Sequence, residues 1–361
     1  MARFAHISDT HIRNLKYQKE YREIFKNLYK ELKNRDIDYI IHCGDIAHTK
    51  TQISPEFVEL ASDFLKNLAE IAPTYVILGN HDGNLRNSSR QDALTPIVEA
   101  LDMPSLHLLK KSSEVQLDDT FTLNVLSVFD TENWKEISNS EKINIALYHG
   151  AVKGAVTDVG YIIEHGDVDI KMLSKFDFAF LGDIHKSNQI LDKRGRVRYA
   201  GSTIQQNHGE TNDKGFLVWD IQGRDKYTTQ HVPLENPSPF ITVDLTSDGK
   251  IPKSANIPKG CKLRIIANTA LSAGTIQKVT DIAKLKHGAT SVSLLNRASA
   301  TILKEQSGEV FDENLQDITV QERLIKSYLD GHELEDKVLE EILNLNKKYN
   351  AELEQSDQIR N

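Results

Sequence analysis

The chain has 361 residues, of which 39% are hydrophobic and 27% are charged, and it carries a net charge of −8. This is the composition of an ordinary globular protein, and the length predicts more than one domain. No apolar run approaches the roughly 20 residues that cross a bilayer, and the N-terminus lacks the basic and apolar regions of a signal peptide, so we expect no membrane association. Cys43 and Cys261 lie in no CxxC motif, which favours a reducing compartment over a disulfide framework.

The first 100 residues predict strands that alternate with helices. Short apolar runs indicate buried strands, and apolar residues three or four apart indicate amphipathic helices. Ser54 followed by Pro55 is typical of a helix start. The predicted strands are 3–8, 38–43 and 74–79, and the predicted helices are 19–34, one from 54 onward, and 91–101. This alternation predicts a layered α/β domain with parallel strands at its centre.

From about residue 106 the pattern is rich in strands, which predicts two sheets with helices outside them. These strands are predicted at 121–129, 143–149, 176–182, 196–201 and 215–221. A domain boundary is predicted near 222–240, where the proline-rich segment 234–240 (LENPSPF) is interpreted as a linker or an extended connection. A small unit follows, with strands at 240–245, 261–267 and 290–295 and a helix at 272–286. A polar linker over 299–318 and two helices near 318–330 and 333–354 complete the prediction.

Charge is unevenly distributed along the chain. Residues 225–300 contain 10 Lys and Arg against 5 Asp and Glu, whereas residues 309–361 contain 6 against 14. A basic middle block and an acidic C-terminal block predict different partners for the two segments.

Five short motifs carry the chemistry, and each follows a predicted strand. Their polar residues are Asp9 and His11, Asp45 and His48, Asn80, His81 and Asp82, His149, and finally Asp183 and His185. Ligands of α/β sheets gather at the carboxyl ends of strands, so these distant residues are expected to meet. Carboxylate and imidazole donors without thiolates favour catalytic Mn²⁺, Fe or Zn²⁺, and a shared carboxylate can bridge two such ions. The motifs therefore predict a two-metal phosphoesterase.

The same motifs resemble the calcineurin-like metallophosphoesterase superfamily. Within it, the stretch Tyr199–Thr203 (YAGST), Glu210 and Lys214–Phe216 (KGF) resemble the SbcD/Mre nuclease family in a bacterial or phage version. The resemblance implies a layered α-β-β-α sandwich, a small α+β capping domain and a C-terminal helix pair. It implies a nuclease domain over 1–224, a DNA-binding capping domain over 225–300, and a linker with an ATPase-binding helical segment over 301–361.

The resemblance also implies residue roles. One metal ion would be held by Asp9, His11, Asp45 and His185, and a second by Asp45, Asn80, His149 and Asp183. Both ions are expected to be Mn²⁺, with Mg²⁺ as an alternative. His81 would contact the scissile phosphate and protonate the leaving oxygen, Asp82 would orient His81, and His48 would support exonuclease action.

One ligand position departs from the family pattern. The family usually has GHxH where this chain has GDIH, so Asp183 places a carboxylate where an imidazole is usual. A carboxylate binds Mn²⁺ or Mg²⁺ well but adds negative charge beside a phosphate substrate. The change predicts altered metal preference and favours weak activity or dependence on a partner.

Two sets of residues are predicted to bind macromolecules. Basic residues that would contact DNA phosphates, or simply form a solvated surface, are Lys193, Arg194, Arg196, Lys262, Arg264, Lys284 and Lys286. Apolar residues of the helix pair that would dock on the coiled-coil base of an SbcC-type ATPase, or simply pack on the parent domain, are Leu324, Tyr328, Leu334, Val338, Ile342 and Leu345. The resemblance also implies a homodimer.

These observations predict a Mn²⁺-dependent DNA exonuclease and endonuclease subunit of an SbcCD-like repair or recombination complex. It would act on double-stranded DNA and DNA ends in the cytoplasm of a bacterium or a phage-infected host. Two alternatives stay open: a phosphatase or cyclic-nucleotide phosphodiesterase with a small substrate, and a scaffold subunit with a weakened site.

Overall fold

The computed structural model describes residues 1–51, 53–87, 89–297, 322, 325 and 338–346. The chain divides into two compact units. The larger unit comprises 1–243, 254–264 and 280–293, and the smaller comprises 244–253, 265–279 and the described residues from 294 onward. Among the described residues, no helix is both long and apolar enough to cross a bilayer.

The described elements follow the predicted order. The strands are β1 (Ala2–Ile7), β2 (Tyr39–His42), β3 (Thr74–Ile77), β4 (Leu106–Leu109), β5 (Ser113–Gln116), β6 (Phe121–Leu126), β7 (Ile143–His149), β8 (Phe178–Gly182), β9 (Gln189–Ile190), β10 (Val197–Tyr199), β11 (Gly215–Gly223), β12 (Lys226–Pro233), β13 (Phe240–Asp244), β14 (Lys262–Ala267) and β15 (Ser291–Asn296). The α-helices are α1 (Gln18–Lys33), α2 (Pro55–Ile71), α3 (Thr95–Leu101), α4 (Ile170–Leu173) and α5 (Ala273–Asp281).

Two six-stranded sheets form the centre of the larger unit. The first has the order β12-β11-β1-β2-β3-β4, in which β1 to β4 are parallel and β11 is antiparallel to β1. The second has the order β5-β6-β7-β8-β10-β9, in which β6, β7, β8 and β10 are parallel. Strands β13, β14 and β15 form a separate three-stranded sheet in that order.

The layers follow from the alternation of side chains along each strand. In β1, Ala5 and Ile7 pack against the buried faces of α1 and α2, whereas Phe4 faces the second sheet. Phe4 meets Phe121 and Phe180 with ring centroids 5.1 and 6.0 Å apart. The far face of the second sheet packs on α4 and on the connection from β7 to β8. This arrangement confirms the α-β-β-α sandwich.

The start of α2 shows why the local prediction succeeds. The Ser54 hydroxyl accepts a hydrogen bond from the backbone N–H of Phe57 at 3.2 Å, and Pro55 occupies the first helical position. The serine satisfies one of the N–H groups that the first turn leaves unpaired, and proline gives up an N–H that has no helical partner.

The segment 234–239 is an extended connection between β12 and β13, as predicted, but the boundary region before it contains a strand that the sequence did not indicate. Lys226–Pro233 forms β12, which pairs antiparallel with β11 at the edge of the first sheet. An edge strand needs little apolar surface, because one side and much of one face contact water, so its hydrophobic pattern is weak. The predicted boundary between 224 and 225 therefore falls in the turn of a hairpin.

Other differences concern the ends of elements. The predicted helix 91–101 begins at Thr95, and the predicted helix 272–286 is α-helical to Asp281 and then forms a π-helical turn over Ile282–Lys286. The short strands β4, β5 and β9 were not assigned from the sequence, because two to four residues show too little periodicity.

The predicted partner-binding helices are described only in part. Residues 338–346 are helical, with Val338 and Leu345 exposed and Ile342 half-buried. Leu324, Tyr328 and Leu334 lie outside the described residues. Docking of an ATPase on this segment stays a prediction.

Candidate metal centre

All the predicted ligands lie at the carboxyl ends of parallel strands. Asp9 and His11 follow β1, Asp45 follows β2, and Asn80 follows β3, while His149 ends β7 and both Asp183 and His185 follow β8. Strands β1 to β3 belong to the first sheet, and β7 and β8 to the second. The two sheets therefore bring their strand ends, and the polar residues that follow them, to one site.

The backbone at the site adopts conformations that L-residues usually avoid. The φ angles of Asp9, His11, Asp45 and Asp183 are 51°, 48°, 60° and 97°. Side chains other than glycine pay for positive φ, and such residues persist where surrounding contacts hold them. Here the N–H of Asp9 donates to the Gly44 carbonyl at 3.0 Å, and the N–H of His11 donates to the Asp45 carbonyl at 2.9 Å. The four residues with this strained backbone conformation are all predicted metal ligands.

Glycines let the strand ends approach each other. A Cβ on Gly79 would lie 2.1 Å from Asp45 Oδ1, and one on Gly182 would lie 2.1 Å from the Cys43 carbonyl oxygen. Both distances are far inside van der Waals contact, so a side chain at either position would displace a ligand or the strand that carries it.

The donor atoms form two groups. The first donor group is Asp9, His11 and His185, the second donor group is Asn80, His149 and Asp183, and Asp45 lies between them.

The atoms of the first donor group face one another closely. His11 Nε2 lies 3.0 Å from His185 Nε2 and 3.8 Å from Asp9 Oδ1, and His185 Nε2 lies 3.9 Å from the same oxygen. Two imidazole nitrogens and a carboxylate oxygen that point at one place are a set of lone pairs suited to a cation.

The second donor group is built around His149. His149 Nε2 lies 3.1 Å from Asn80 Oδ1 and 3.7 Å from Asp183 Oδ1. Asp45 Oδ2 lies 3.3 Å from His149 Nε2 and 3.6 Å from His11 Nε2, so one carboxylate oxygen reaches both groups. That is the position of a bridging ligand.

The ring orientation of two histidines suits metal binding. His149 Nδ1 lies 2.7 Å from the Cys43 carbonyl, and His185 Nδ1 lies 2.8 Å from a Glu210 carboxylate oxygen. A carbonyl or carboxylate accepts the Nδ1–H, which leaves the Nε2 lone pair of each ring directed into the site. The residues present therefore fit a pair of divalent ions.

Electrostatics points the same way. Burial raises the pKa of Asp9 to about 6, and burial also raises the pKa of Asp183. Burial opposes ionisation of Asp45 as well, yet the neighbouring His149, His11 and His81 hold its pKa below the ordinary value. Three carboxylates at one buried site need positive charge close by, and among the described residues the histidines of the site supply much of it.

His81 is held by backbone rather than by Asp82. Its Nδ1 lies 2.7 Å from the His48 carbonyl, and its N–H donates to Asp45 Oδ1 at 2.8 Å. The ring lies near His11, with centroids 4.9 Å apart, and forms a further possible ligand group with His11 and Asp45. The His48 ring is near both, with its centroid 6.2 Å from that of His81.

The predicted role of Asp82 needs correction. Its buried carboxylate accepts hydrogen bonds from the N–H groups of Asp45 and Ala47 at 2.8 Å and of Gly79 at 2.9 Å. Asp82 thus ties the loop after β2 to the loop after β3, and it orients His81 only through the backbone that carries Asp45. Burial and the nearby Asp45 charge raise the pKa of Asp82 to about 7.

A buried network behind His185 was absent from the predicted site. Glu210 binds His185, and its other oxygen lies 3.7 Å from Lys214 Nζ. Lys214 Nζ donates to Asp158 at 2.9 Å and to the His185 carbonyl at 2.8 Å. The sequence signal for Glu210 and Lys214 was their place in the family-like stretch, whereas nothing in the sequence pointed to Asp158.

The structure separates the predicted DNA-binding residues into two kinds. Lys262 is buried, donates to the Ser238 carbonyl at 2.8 Å, and lies 3.3 Å from Glu20. Arg196 pairs with Asp225 at 2.6 Å, and its side chain is only 13% exposed. For Lys262 the phosphate-binding prediction is wrong, because its charge is buried and paired inside the protein. Asp225 is 86% exposed, so the Arg196 pair lies at the surface and DNA contact by Arg196 stays a prediction.

The other residues predicted to bind DNA are accessible to solvent. Lys193, Arg194, Lys284 and Lys286 are exposed, and Arg264 is half-buried. DNA contact by these residues stays a prediction.

Comparison with known proteins identifies relatives over most of the chain. The uncharacterized protein R555 of Acanthamoeba polyphaga mimivirus is 33% identical over 358 residues, which is 95% of this chain and 26% of that protein. The putative phosphoesterase 244L of Invertebrate iridescent virus 6 is 25% identical over 200 residues, which is 51% of this chain and 64% of that protein. The DNA double-strand break repair protein Mre11 of Thermoplasma acidophilum is 23% identical over 274 residues, which is 68% of this chain and 69% of that protein.

The chain therefore spans about a quarter of the first relative and less than two thirds of the second. The family model for calcineurin-like phosphoesterases matches residues 2–187, a range that begins with β1 and includes every member of both donor groups. With the α-β-β-α fold and the converging donor atoms, this match shows that the chain belongs to the calcineurin-like phosphoesterase family.

Proposed function

We propose that the protein is a metal-dependent nuclease that hydrolyses DNA phosphodiesters, with Mn²⁺ as the working ion and Mg²⁺ as an alternative. The observation that carries the proposal is the position of Asp45 Oδ2, which lies 3.6 Å from His11 Nε2 and 3.3 Å from His149 Nε2. Two ions bound by the donor groups would supply a hydroxide nucleophile at neutral pH and stabilise negative charge on the phosphoryl oxygens.

The chain's own residues would position the substrate and move a proton. The His48 carbonyl accepts the Nδ1–H of His81, so protonated His81 carries its second proton on Nε2. From there it would protonate the leaving oxygen and remain a neutral ring that still donates to His48. The buried carboxylates and the Glu210 hydrogen bond to His185 keep the ligand rings in place throughout.

DNA is favoured as the substrate by the likeness to the repair protein Mre11 over 68% of the chain. Exposed basic residues also favour it: Lys193 and Arg194 lie between β9 and β10, and Lys284 and Lys286 lie in the π-helical turn. We further propose the double-strand-break repair setting, a homodimer, and an SbcC-type ATPase as partner. Localisation in the cytoplasm of a bacterium or an infected host stays a prediction.

The test uses the full chain with linear duplex DNA. We expect Mn²⁺-dependent cleavage that His81→Ala abolishes while Mn²⁺ binding, measured by calorimetry, persists. His107→Ala is the matched control, because that histidine stacks on Tyr75 in the first sheet, away from the donor groups. Cleavage should be unchanged in this control.

The alternatives give different results. Hydrolysis of small phosphoesters with no cleavage of DNA would establish the phosphatase or cyclic-nucleotide phosphodiesterase instead. Mn²⁺ binding with no hydrolysis of any substrate would establish the scaffold subunit, a possibility that the carboxylate at Asp183 raises.

A further inference from the structure

A cavity of about 520 Å³ opens directly beside the second donor group. Its lining includes Asn80, His149 and Asp183 of that group, so a substrate whose phosphate is held at the metal centre has its adjoining part next to this cavity. The remainder of the lining is largely apolar and aromatic. The volume lies in the range of sites that bind small organic groups.

The aromatic wall of the cavity is fixed in place. Trp134 is half-buried, its Nε1–H donates to the Ser127 carbonyl at 2.9 Å, and its ring meets Tyr148 edge-to-face with centroids 5.8 Å apart. Leu85 and Val128 line the cavity as well. Leu85 is 50% exposed, so the cavity is open to solvent on that side.

The cavity also contains an unpaired donor. Tyr148 is 1% exposed, and its hydroxyl has no hydrogen-bond partner among the described residues. The hydroxyl lies beside Gly150, which lines the cavity, since a Cβ on Gly150 would be 2.4 Å from it. Tyr148 lines the cavity, so its hydroxyl is placed to donate a hydrogen bond to a group bound there.

The charges around the cavity restrict what can occupy it. Asp167 and Asp183 both line it, and their negative charges oppose a second phosphate group. The occupant must therefore be an uncharged part of the substrate, with a flat apolar face and polar atoms at its edge. In a nucleic acid, that part is the base.

We propose that this cavity binds an unpaired nucleobase of the nucleotide that carries the scissile phosphate. The base packs against Trp134 and Leu85 and accepts a hydrogen bond from Tyr148. A base in this cavity cannot be paired with a complementary strand, so the site acts preferentially on single-stranded or frayed ends, where unstacking costs least. This inference rests on the proposed nuclease function.

The first test measures binding without hydrolysis. The chain has two tryptophans, and Trp219 is fully buried, so a change in fluorescence on titration with thymidine reports on Trp134. We expect a saturable change with thymidine and none with deoxyribose, both in metal-free protein. Leu85→Ala should weaken the binding several-fold. No saturable change with thymidine overturns the proposal.

The second test compares two substrates that share a leaving group, thymidine 5′-(4-nitrophenyl phosphate) and methyl 4-nitrophenyl phosphate. Trp134→Ala should lower kcat/KM about tenfold for the nucleoside substrate and leave the methyl substrate unchanged. Tyr161→Ala, an exposed aromatic residue outside the cavity lining, is the control. An equal loss with both substrates, or no loss with either, overturns the proposal.

Further variants and readouts keep the two proposals separate. If Trp134→Ala does not fold, as judged by its thermal unfolding, Leu85→Ala takes its place in the kinetic test, because half of its side chain already contacts solvent. If neither substrate is hydrolysed with Mn²⁺, cleavage of linear duplex DNA decides the nuclease proposal, and the metal-free thymidine titration still decides whether the cavity binds a base.

Discussion

The two donor groups of the metal centre share Asp45 but are supported in different ways. His185 of the first group is held by the Glu210 carboxylate, which is in turn close to Lys214. His149 of the second group is held by the neutral Cys43 carbonyl, and its neighbour Asp183 lines the open cavity. A carboxylate partner raises the basicity of a ligating imidazole more than a carbonyl does. We therefore expect the first group to bind its ion more tightly and the second to vary more with metal and substrate.

The largest effect is expected from removing the residue that both groups share. Asp45→Asn should lower nuclease activity by about 10³-fold or more, because both ions lose a ligand at once. Calorimetric titration should show that Mn²⁺ binding weakens at both sites. Asp63→Asn, an exposed surface carboxylate paired with Arg22, should behave as the unchanged protein. Loss of only one binding event would show that Asp45 does not bridge.

The second prediction concerns pH and the first donor group without metal. Burial raises the pKa of Asp9 to about 6 from an ordinary value near 4, so folding favours the protonated carboxyl. The stabilisation is complete below the unfolded pKa and is lost as pH rises from about 4 through 6. We expect the metal-free protein to lose up to about 3 kcal/mol of unfolding free energy over this window relative to Asp9→Asn.

The measurement is chemical unfolding of both proteins at pH 4 to 7, with and without Mn²⁺. Binding of the ion should remove the loss, because it stabilises the ionised carboxylate. Parallel pH profiles for the two metal-free proteins would mean that Asp9 is not the group that titrates.

The members of the two donor groups could be predicted from the sequence, but the residues that hold them in place could not. Each ligand follows an apolar strand within a few residues, so the order of strands and motifs predicts that they converge. Asp158 and Trp134 lie in connections with no periodic pattern, and their contacts with Lys214 and Tyr148 depend on packing between distant segments. The same reason explains the error at Lys262, since its burial against Tyr17 and Glu20 cannot be derived from a count of charges.

The third prediction tests the support of the first group directly. Glu210→Gln keeps the size of the side chain but replaces the carboxylate that accepts the His185 Nδ1–H. We expect Mn²⁺ affinity at one site to fall about 10- to 100-fold, with the other site nearly unchanged. The readout is a two-site calorimetric titration together with the NMR signals of the His185 ring, which report its tautomer.

Glu164→Gln, a change of the same kind at an exposed position, is the control for Glu210→Gln. Equal weakening at both sites would mean that Glu210 acts on the whole centre rather than on the first donor group. The Glu210→Gln substitution does not remove the ion pair between Lys214 and Asp158, whose atoms lie 2.9 Å apart. The rest of the buried network should therefore be retained.

The smallest effect is expected at Asp183, the ligand of the second group that departs from the family pattern. Asp183→His replaces an oxygen donor by an imidazole and removes one negative charge beside the phosphate. We expect the preference for Zn²⁺ over Mg²⁺ to rise about tenfold, because imidazole suits Zn²⁺ and carboxylate suits Mg²⁺. KM for DNA should fall at the same time. Asp183→Asn separates the two causes, since it removes the charge without adding an imidazole: a lower KM in both variants is due to charge, and altered metal preference in Asp183→His alone is due to the donor atom.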